Sequence, residues 1–385
     1  MTKGNFPIEK LKGIETPFYY YNMDLLRKTL KTVKGETKKY GFHEHYAVKA
    51  NANRRILEIV ASEGFGVDCV SGNEIKAAVN AGFPASKIVF AGVGKTDKEI
   101  NLALDLNIFC FNVESLPELE VINELANKKG KIAQVALRIN PNIDAHTHEY
   151  ITTGLNENKF GFSISALQDV LERLKTLKGI KLSGIHFHVG SQIEDLSVFS
   201  QLCDKVNELQ DYFEAQDIKL EHINVGGGLG IDYNNPEDNL IPDFEKYFAL
   251  FHSSLKLREG QVVHFELGRA MVAQSGALIT RTTYVKEGEE KTFVIVDGGM
   301  TDLIRPALYQ AYHKIENISS DLPLKKYDIV GPICESSDVF AKDYELNETK
   351  RGDILVIYSA GAYGEIMASQ YNCRELPKAY YSDKI

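Results

Sequence analysis

The chain has 385 residues, about two and a half times a typical domain, which predicts two domains. Forty-four basic against 53 acidic side chains give a net charge of −9, which repels phosphodiester backbones and argues against nucleic acid as a partner. Hydrophobic residues at 44% and charged residues at 25% suit a folded chain, no apolar run reaches the roughly 18 residues of a membrane span, and Met1–Pro7 carries no secretory signal.

In chain order, Pro17–Tyr21 is strand-like, and short apolar runs follow it. The first four are His45–Ala50, Gly66–Ser71, Lys87–Gly92 and Ile108–Val113. Four more are Gln134–Asn140, Gly184–Gly190, His222–Gly228 and Val262–Arg269. Their Val, Ile and Phe content predicts buried strands. Helical spacing fills Arg54–Glu63, Leu116–Asn127 and Asp195–Gln216 between them. Eight strands alternating with helices predict an α/β fold, a (β/α)8 TIM-type barrel. A doubly wound sheet is the weaker reading, because no G-x-G-x-x-G follows the first strand.

Beyond Arg269 the pattern changes. Gly276–Lys286 and Lys291–Asp297 flank a Glu287-Gly288-Glu289-Glu290 turn and predict a hairpin, and Tyr327–Cys334 and Asp353–Tyr358 predict further strands. The expected organisation is a barrel over 22–270 and a mainly β C-terminal domain that also takes in the N-terminal strand, 1–21 with 271–385. Cys69, Cys110, Cys203, Cys334 and Cys373 include no C-x-x-C pair and form no disulfide framework, which fits a reducing cytoplasm.

Barrel enzymes draw their sites from the carboxyl ends of the strands. Those ends carry Lys49, Asp68, Arg138 with Asn140, His188 with Gly190 and Ser191, Gly226-Gly227-Gly228, and Glu266 with Arg269. Lys49 lies in an apolar run, and a lysine among apolar neighbours is easier to deprotonate and can form a Schiff base; the plain alternative is a snorkelling surface lysine. Consecutive glycines let backbone N–H groups approach an anion, although a flexible loop would look the same, and no Gly-Lys-Ser/Thr follows to make a Walker loop. His186-Phe187-His188 on a strand would point both imidazoles to one face, as a metal pair or as one core and one cofactor-facing histidine. His146-Thr147-His148 adds to the metal option, but no ligand spacing accompanies either pair, so no metal is expected. Glu266 and Arg269 form a local salt bridge, or else face a charged ring nitrogen and an oxyanion.

A lysine for a Schiff base, a glycine-rich anion cradle, a ring-facing histidine and an acid for a pyridinium nitrogen together describe a pyridoxal 5'-phosphate site. The carriers Tyr46-Ala47-Val48-Lys49-Ala50, Asn158-Lys159-Phe160-Gly161, His186–Ser191, Gly226–Gly228, Glu266–Arg269, Arg305–Tyr309, Cys334–Asp338 and Gly361–Gly364 run over nearly the whole chain. In them the chain resembles the alanine-racemase-fold, or type III, pyridoxal-phosphate decarboxylases. The resemblance implies that Lys49 holds the cofactor, His188 stacks on its ring and Glu266 pairs with its nitrogen. It implies that Asp68 also belongs to the cofactor site, and that Ser191, Gly226, Gly227, Gly228 and Tyr363 hold the phosphate. Arg269, Arg305, Tyr309, Glu335 and Tyr363 would recognise the far end of the substrate. Cys334 and Glu335 would reach the neighbour's site in a homodimer, with Cys334 or Lys49 as proton donor.

The implied reaction is decarboxylation of a substrate with a distal amino acid centre, meso-diaminopimelate, to L-lysine, the last step of lysine biosynthesis. Decarboxylases of another diamino acid or of carboxynorspermidine are the alternatives on this fold, a metal-dependent barrel hydrolase and a non-catalytic homologue those outside it. One departure stands out: the family's usual acid-Pro-Gly-Arg is here Glu266-Leu267-Gly268-Arg269. Loss of that proline is expected to loosen the backbone before Arg269.

Overall fold

The computed structural model describes residues 2–3, 6–143 and 159–385, so His146, His148 and Asn158 lie outside the described residues. Two short strands, β1 (Thr2–Lys3) and β2 (Phe6–Pro7), precede β3 (Phe18–Tyr21). Eight strands then close a barrel: β4 (His43–Ala47), β5 (Gly66–Cys69), β6 (Ile88–Phe90), β7 (Cys110–Val113), β8 (Ala133–Arg138), β9 (Ile180–His186), β10 (His222–Asn224) and β11 (Val262–Phe265). Each pairs in parallel with its sequence neighbours, and β11 closes onto β4 through His264 opposite His43. The α/β barrel expected from the sequence is what the chain forms.

Helix starts follow the strand ends closely because capping residues sit there. Ser71, Thr96 and Ser115 each accept a backbone N–H three residues on, opening helices Gly72–Asn80, Asp97–Leu106 and Leu116–Lys128. Outside β11, the helix Phe244–Ser254 sets Phe248 and Phe251 edge-on to Phe265, with centroids 4.9 and 5.0 Å apart. Burying each such ring contributes about 1.5–3 kcal/mol.

The strands end earlier than their apolar runs. Val48, Phe187, Val189, Val225 and Leu267 lie past the ends of β4, β9, β10 and β11, yet all are fully buried. Burial under the loops keeps the pattern apolar after the ladder has stopped. Lys49 therefore stands in a turn, Val48–Ala50, rather than in a strand, and His188 lies two residues beyond β9.

Seven strands follow: β12 (Gly276–Glu287), β13 (Thr292–Val296), β14 (Ile315–Asn317), β15 (Leu324–Val330), β16 (Val339–Asn347), β17 (Ile354–Ile357) and β18 (Lys378–Tyr381). The sheet order is β14-β17-β12-β13-β15-β16, with β3 pairing β12 and β18 pairing β3. β12 and β13 are the antiparallel hairpin predicted from the sequence. A core of Phe18, Tyr20, Ile279, Ile354 and Val356 packs with Phe6, Ile8 and Leu11.

The chain divides into two compact units, one of Leu30–Gly230 with Asp243–Gly268, the other of Met1–Thr29, Ile231–Pro242 and Arg269–Ile385. The sequence puts the boundaries at 22 and 270, whereas residues 231–242 group with the β unit. A physical reason is Tyr233, whose hydroxyl accepts from Arg269 and whose ring underlies Arg305. Among the described residues no helix is long and apolar enough to cross a membrane.

Candidate active site

In the barrel unit, Glu266 immediately follows β11 and is buried. Its Oε1 accepts from Asn112 Nδ2 at 2.8 Å and Asn224 Nδ2 at 2.6 Å, and its Oε2 accepts from His186 Nε2 at 2.9 Å. Asn112, Asn224 and His186 come from β7, β10 and β9, so three strand positions converge on one carboxylate. Burial works against its charge, but the neighbouring His186, then Lys49 and His188, hold the carboxyl well below its ordinary range. His186 Nδ1 is buried without a partner among the described residues, which places the imidazole proton on Nε2, facing Glu266. The H-x-H pair thus splits into a core histidine that orients the acid and a second histidine beyond the strand.

That second histidine, His188, accepts the Gly227 N–H on Nδ1 at 3.3 Å. Burial, with the nearby Lys49 and Arg138 cations, keeps it far below the usual imidazole range and therefore neutral. Lys49 Nζ donates to Asp68 Oδ2 at 3.3 Å; the lysine side chain is 38% exposed and the aspartate fully buried. The apolar setting expected for Lys49 is thus replaced by a turn with an acidic partner. Burial and the charge of Glu266 push Asp68 up to about 6.

The three glycines are required by backbone packing. A Cβ on Gly226 would stand 2.2 Å from the Phe187 carbonyl oxygen, and one on Gly227 would stand 2.1 Å from that of Glu266. Gly226 N–H donates to Asn224 Oδ1 and Gly227 N–H to His188 Nδ1. Of the three amides, Gly228 is the one with no partner among the described residues. Arg138 is committed to Glu114 at 2.7 Å and lies 4.6 Å from the Phe160 ring, while Gly161 N–H donates to the other Glu114 oxygen at 2.9 Å. These residues of the Asn158–Gly161 motif anchor the chain to β8.

Leu267 does not loosen the segment as expected. Its N–H donates to the buried Glu44 carboxylate at 2.6 Å, and its carbonyl accepts from Ala47 N. Proline has no N–H to give, so leucine here exchanges ring stiffness for a hydrogen bond.

The β unit holds a second constellation. Arg269 Nη1 donates to Tyr233 Oη at 2.7 Å, and its guanidinium lies 4.8 Å from the Tyr363 ring centre. Arg305 is 6% exposed, lies 4.8 Å from the Tyr233 ring and donates through Nη1 to His313 Nε2 at 2.8 Å. Arg305 and Tyr309 open and close a single helical turn. Cys334 and Glu335 are both exposed; Glu335 accepts from Tyr371 Oη at 2.7 Å and Cys334 N–H donates to Asn372 Oδ1 at 3.1 Å. Sequence reasoning missed Asn112, Asn224, His186 as an acid-orienting residue, Tyr233 and His313. Only strand-end position could have singled out Asn112 and Asn224; nothing local marks Tyr233 or His313.

These residues suit pyridoxal phosphate. An amine on Lys49, an ionised buried acid at Glu266 and a neutral imidazole at His188 match the aldehyde, ring nitrogen and ring face that the cofactor presents. Among the described residues no group of three His, Cys, Asp or Glu side chains is arranged to hold a metal ion.

Comparison with known proteins agrees. Residues 24–273 match the model of the pyridoxal-dependent decarboxylase, pyridoxal binding domain. A diaminopimelate decarboxylase of Bacteroides thetaiotaomicron is 62% identical over 384 residues, covering 100% of both chains. One from Neisseria meningitidis serogroup B is 42% identical, over 93% of this chain and 86% of its own. The crystal structure of the Helicobacter pylori diaminopimelate decarboxylase complexed with L-lysine superposes with a TM-score of 0.91 at 41% identity, over 98% of this chain and 94% of that one. The chain belongs to the pyridoxal-dependent decarboxylases of fold type III and, within them, to the diaminopimelate decarboxylases.

Proposed function

We propose that this chain decarboxylates meso-diaminopimelate to L-lysine and carbon dioxide with pyridoxal phosphate, closing lysine biosynthesis. The observation that carries the substrate is Arg305. It is a buried guanidinium held by an imidazole and a phenol ring, with no carboxylate in ion-pair range among the described residues. A buried cation built this way calls for an anion, and the distal carboxylate of the substrate would supply one.

When bound, pyridoxal phosphate supplies a sink for the electron pair left when carbon dioxide departs. Lys49 is the amine through which the chain holds it, beside Asp68. Glu266, framed by three donors, keeps its negative charge and would pair with a protonated ring nitrogen, and the neutral imidazole of His188 would face the ring. Ser191, Gly226–Gly228 and Tyr363 would take the phosphate, and among the described residues the Gly228 amide is the one of the three glycine amides without a partner. Arg269, Arg305, Tyr309, Glu335 and Tyr363 take the far end of the substrate: guanidinium for carboxylate, Glu335 for ammonium. Lys49 or Cys334 returns the proton.

The exposure of Cys334, Glu335, Ile366 and Tyr371 on the β unit supports a homodimer with shared sites. Free cysteines and the acidic charge suit a cytoplasmic enzyme without nucleic-acid or membrane partners.

The test compares kcat/KM for carbon dioxide release from meso-diaminopimelate and from lysine in the wild type and Arg305→Ala. Hydrogen bonds to a charged group are worth about 1.5–3 kcal/mol, so diaminopimelate use falls by about one to two decades and any slow lysine reaction changes far less. An equal loss on both substrates would mean that Arg305 supports the fold or the cofactor. In Lys49→Ala the borohydride-sensitive visible band disappears with the activity; near-normal turnover there would end the cofactor assignment.

A further inference from the structure

Arg305 meets an imidazole where a carboxylate would be the ordinary partner for a buried guanidinium. The proton positions on that imidazole are fixed by its two neighbours. His313 Nδ1 lies 2.8 Å from the Tyr358 carbonyl oxygen, which can only accept, so Nδ1 carries the hydrogen. His313 Nε2 lies 2.8 Å from Arg305 Nη1, which can only donate, so Nε2 presents a lone pair. The ring is therefore neutral in the bonded arrangement. Burial, and next the Arg305 charge, drive its pKa down to about 3, so it stays neutral at any working pH.

The aromatic rings that meet the two arginines are uncharged as well. The Tyr233 ring lies under Arg305 at 4.8 Å and stands edge-on to His313 at 5.1 Å. The Tyr233 hydroxyl takes Arg269, whose other face meets the Tyr363 ring at 4.8 Å. Direction is given to Arg305 while no carboxylate among the described residues pairs with it.

We infer that His313 is a positioning residue that determines specificity: it aims the Arg305 guanidinium at a carboxylate of the substrate while withholding the counter-charge that would cancel it. The inference rests on the reading that Arg305 receives the distal carboxylate. A glutamate at 313 would hold the same guanidinium and fill its electrostatic demand from within the protein. A glutamine would keep both of histidine's bonds, its amide N–H to Tyr358 and its oxygen to Arg305, without charge.

Three holoenzyme variants separate these roles: His313→Leu, His313→Gln and His313→Glu. The readouts are KM and kcat for meso-diaminopimelate, the visible absorption of bound cofactor, and the dissociation constant of pimelate, a seven-carbon dicarboxylate without amino groups. His313→Leu should raise KM and weaken pimelate by about 10- to 100-fold, with smaller changes in kcat. His313→Gln should recover most of that loss. His313→Glu should weaken pimelate at least as much as His313→Leu, with cofactor absorption intact. The inference is overturned if His313→Gln is no better than His313→Leu, if His313→Glu binds pimelate like the wild type, or if the wild type does not bind pimelate at all. A wild type that releases no carbon dioxide from diaminopimelate would sink the proposed function alone, and the pimelate series would still decide His313.

Discussion

Replacing His222 by phenylalanine should flatten the acid side of the stability profile, and the barrel interior shows by how much. His264 lies 5.1 Å, centre to centre, from each of His43, His45, His222 and Phe109. Neighbouring strands make room: a Cβ on Gly66 would stand 2.4 Å from His45 Nδ1, and one on Gly184 would stand 2.5 Å from the His222 ring. His45 Nδ1 donates to the Lys87 carbonyl, so its Nε2 must accept from His264 Nδ1, 2.8 Å away. The bonded pair is neutral. Burial above all lowers His45 and His222 to about 4 each, against about 6.5 in an unfolded chain.

A depressed histidine pKa favours the neutral form in the fold, so this stability is present above pH 6.5 and is lost as the pH falls toward 4. At pH 5 the difference is about 1.5 units, or about 2 kcal/mol for His222 alone. Asp68 and Glu74 oppose it over the same window. Burial raises them to about 6 and about 7, so their contribution is present at low pH and is lost as the pH rises through those values. The wild-type curve therefore mixes signs, and only the variant isolates the histidine. The His222 imidazole makes no hydrogen bond among the described residues, so phenylalanine removes the titration and keeps the ring packing. Thermal midpoints at pH 7 and pH 5 should differ by about 4–8 °C less, in the destabilising direction, for His222→Phe than for the wild type. Equal shifts in the two proteins would refute the argument that this imidazole is held neutral.

Asn224→Ala removes the shortest donor to Glu266 and should weaken pyridoxal phosphate by about one to two decades in titrations of the apoenzyme; unchanged affinity would mean that the frame around the acid is idle. Mixing inactive Lys49→Ala with inactive Glu335→Ala subunits should restore activity, since one hybrid site carries neither lesion. Mixed dimers that form and stay inactive would rule out sites shared between subunits.

The barrel was legible because eight apolar runs alternate with helical spacing, and Lys49, His188 and Glu266 stood out as candidates because they sit where those runs end. What a linear pattern cannot carry is the partner. Asn112 and Asn224 are ordinary strand asparagines until the closure of the barrel turns both toward Glu266, 154 and 42 residues away. Tyr233 sits in a segment that local pattern assigns to the barrel, and its meeting with Arg305 depends on a long-range return of the chain. The glycine triplet was read as an anion cradle, but its neighbours' carbonyls already demand glycine. Leu267 could be understood only once Glu44 was seen beneath it, since one leucine says nothing about a distant carboxylate.

β3 has a consequence for how the chain is made. Its four residues, Phe18-Tyr19-Tyr20-Tyr21, are all buried, yet their ladder partners are Gly276–Ile279 of β12 and Lys378–Tyr381 of β18. At roughly 5–20 residues per second, a ribosome emits β3 on the order of ten to fifty seconds before β12 exists to receive it. During that interval the entire barrel sequence is synthesised, while one of the most aromatic stretches of the protein waits without a sheet. Early synthesis thus leaves an adhesive strand unpaired, and the β unit becomes a checkpoint on completeness: a chain truncated before β12 lacks both ladder partners of β3.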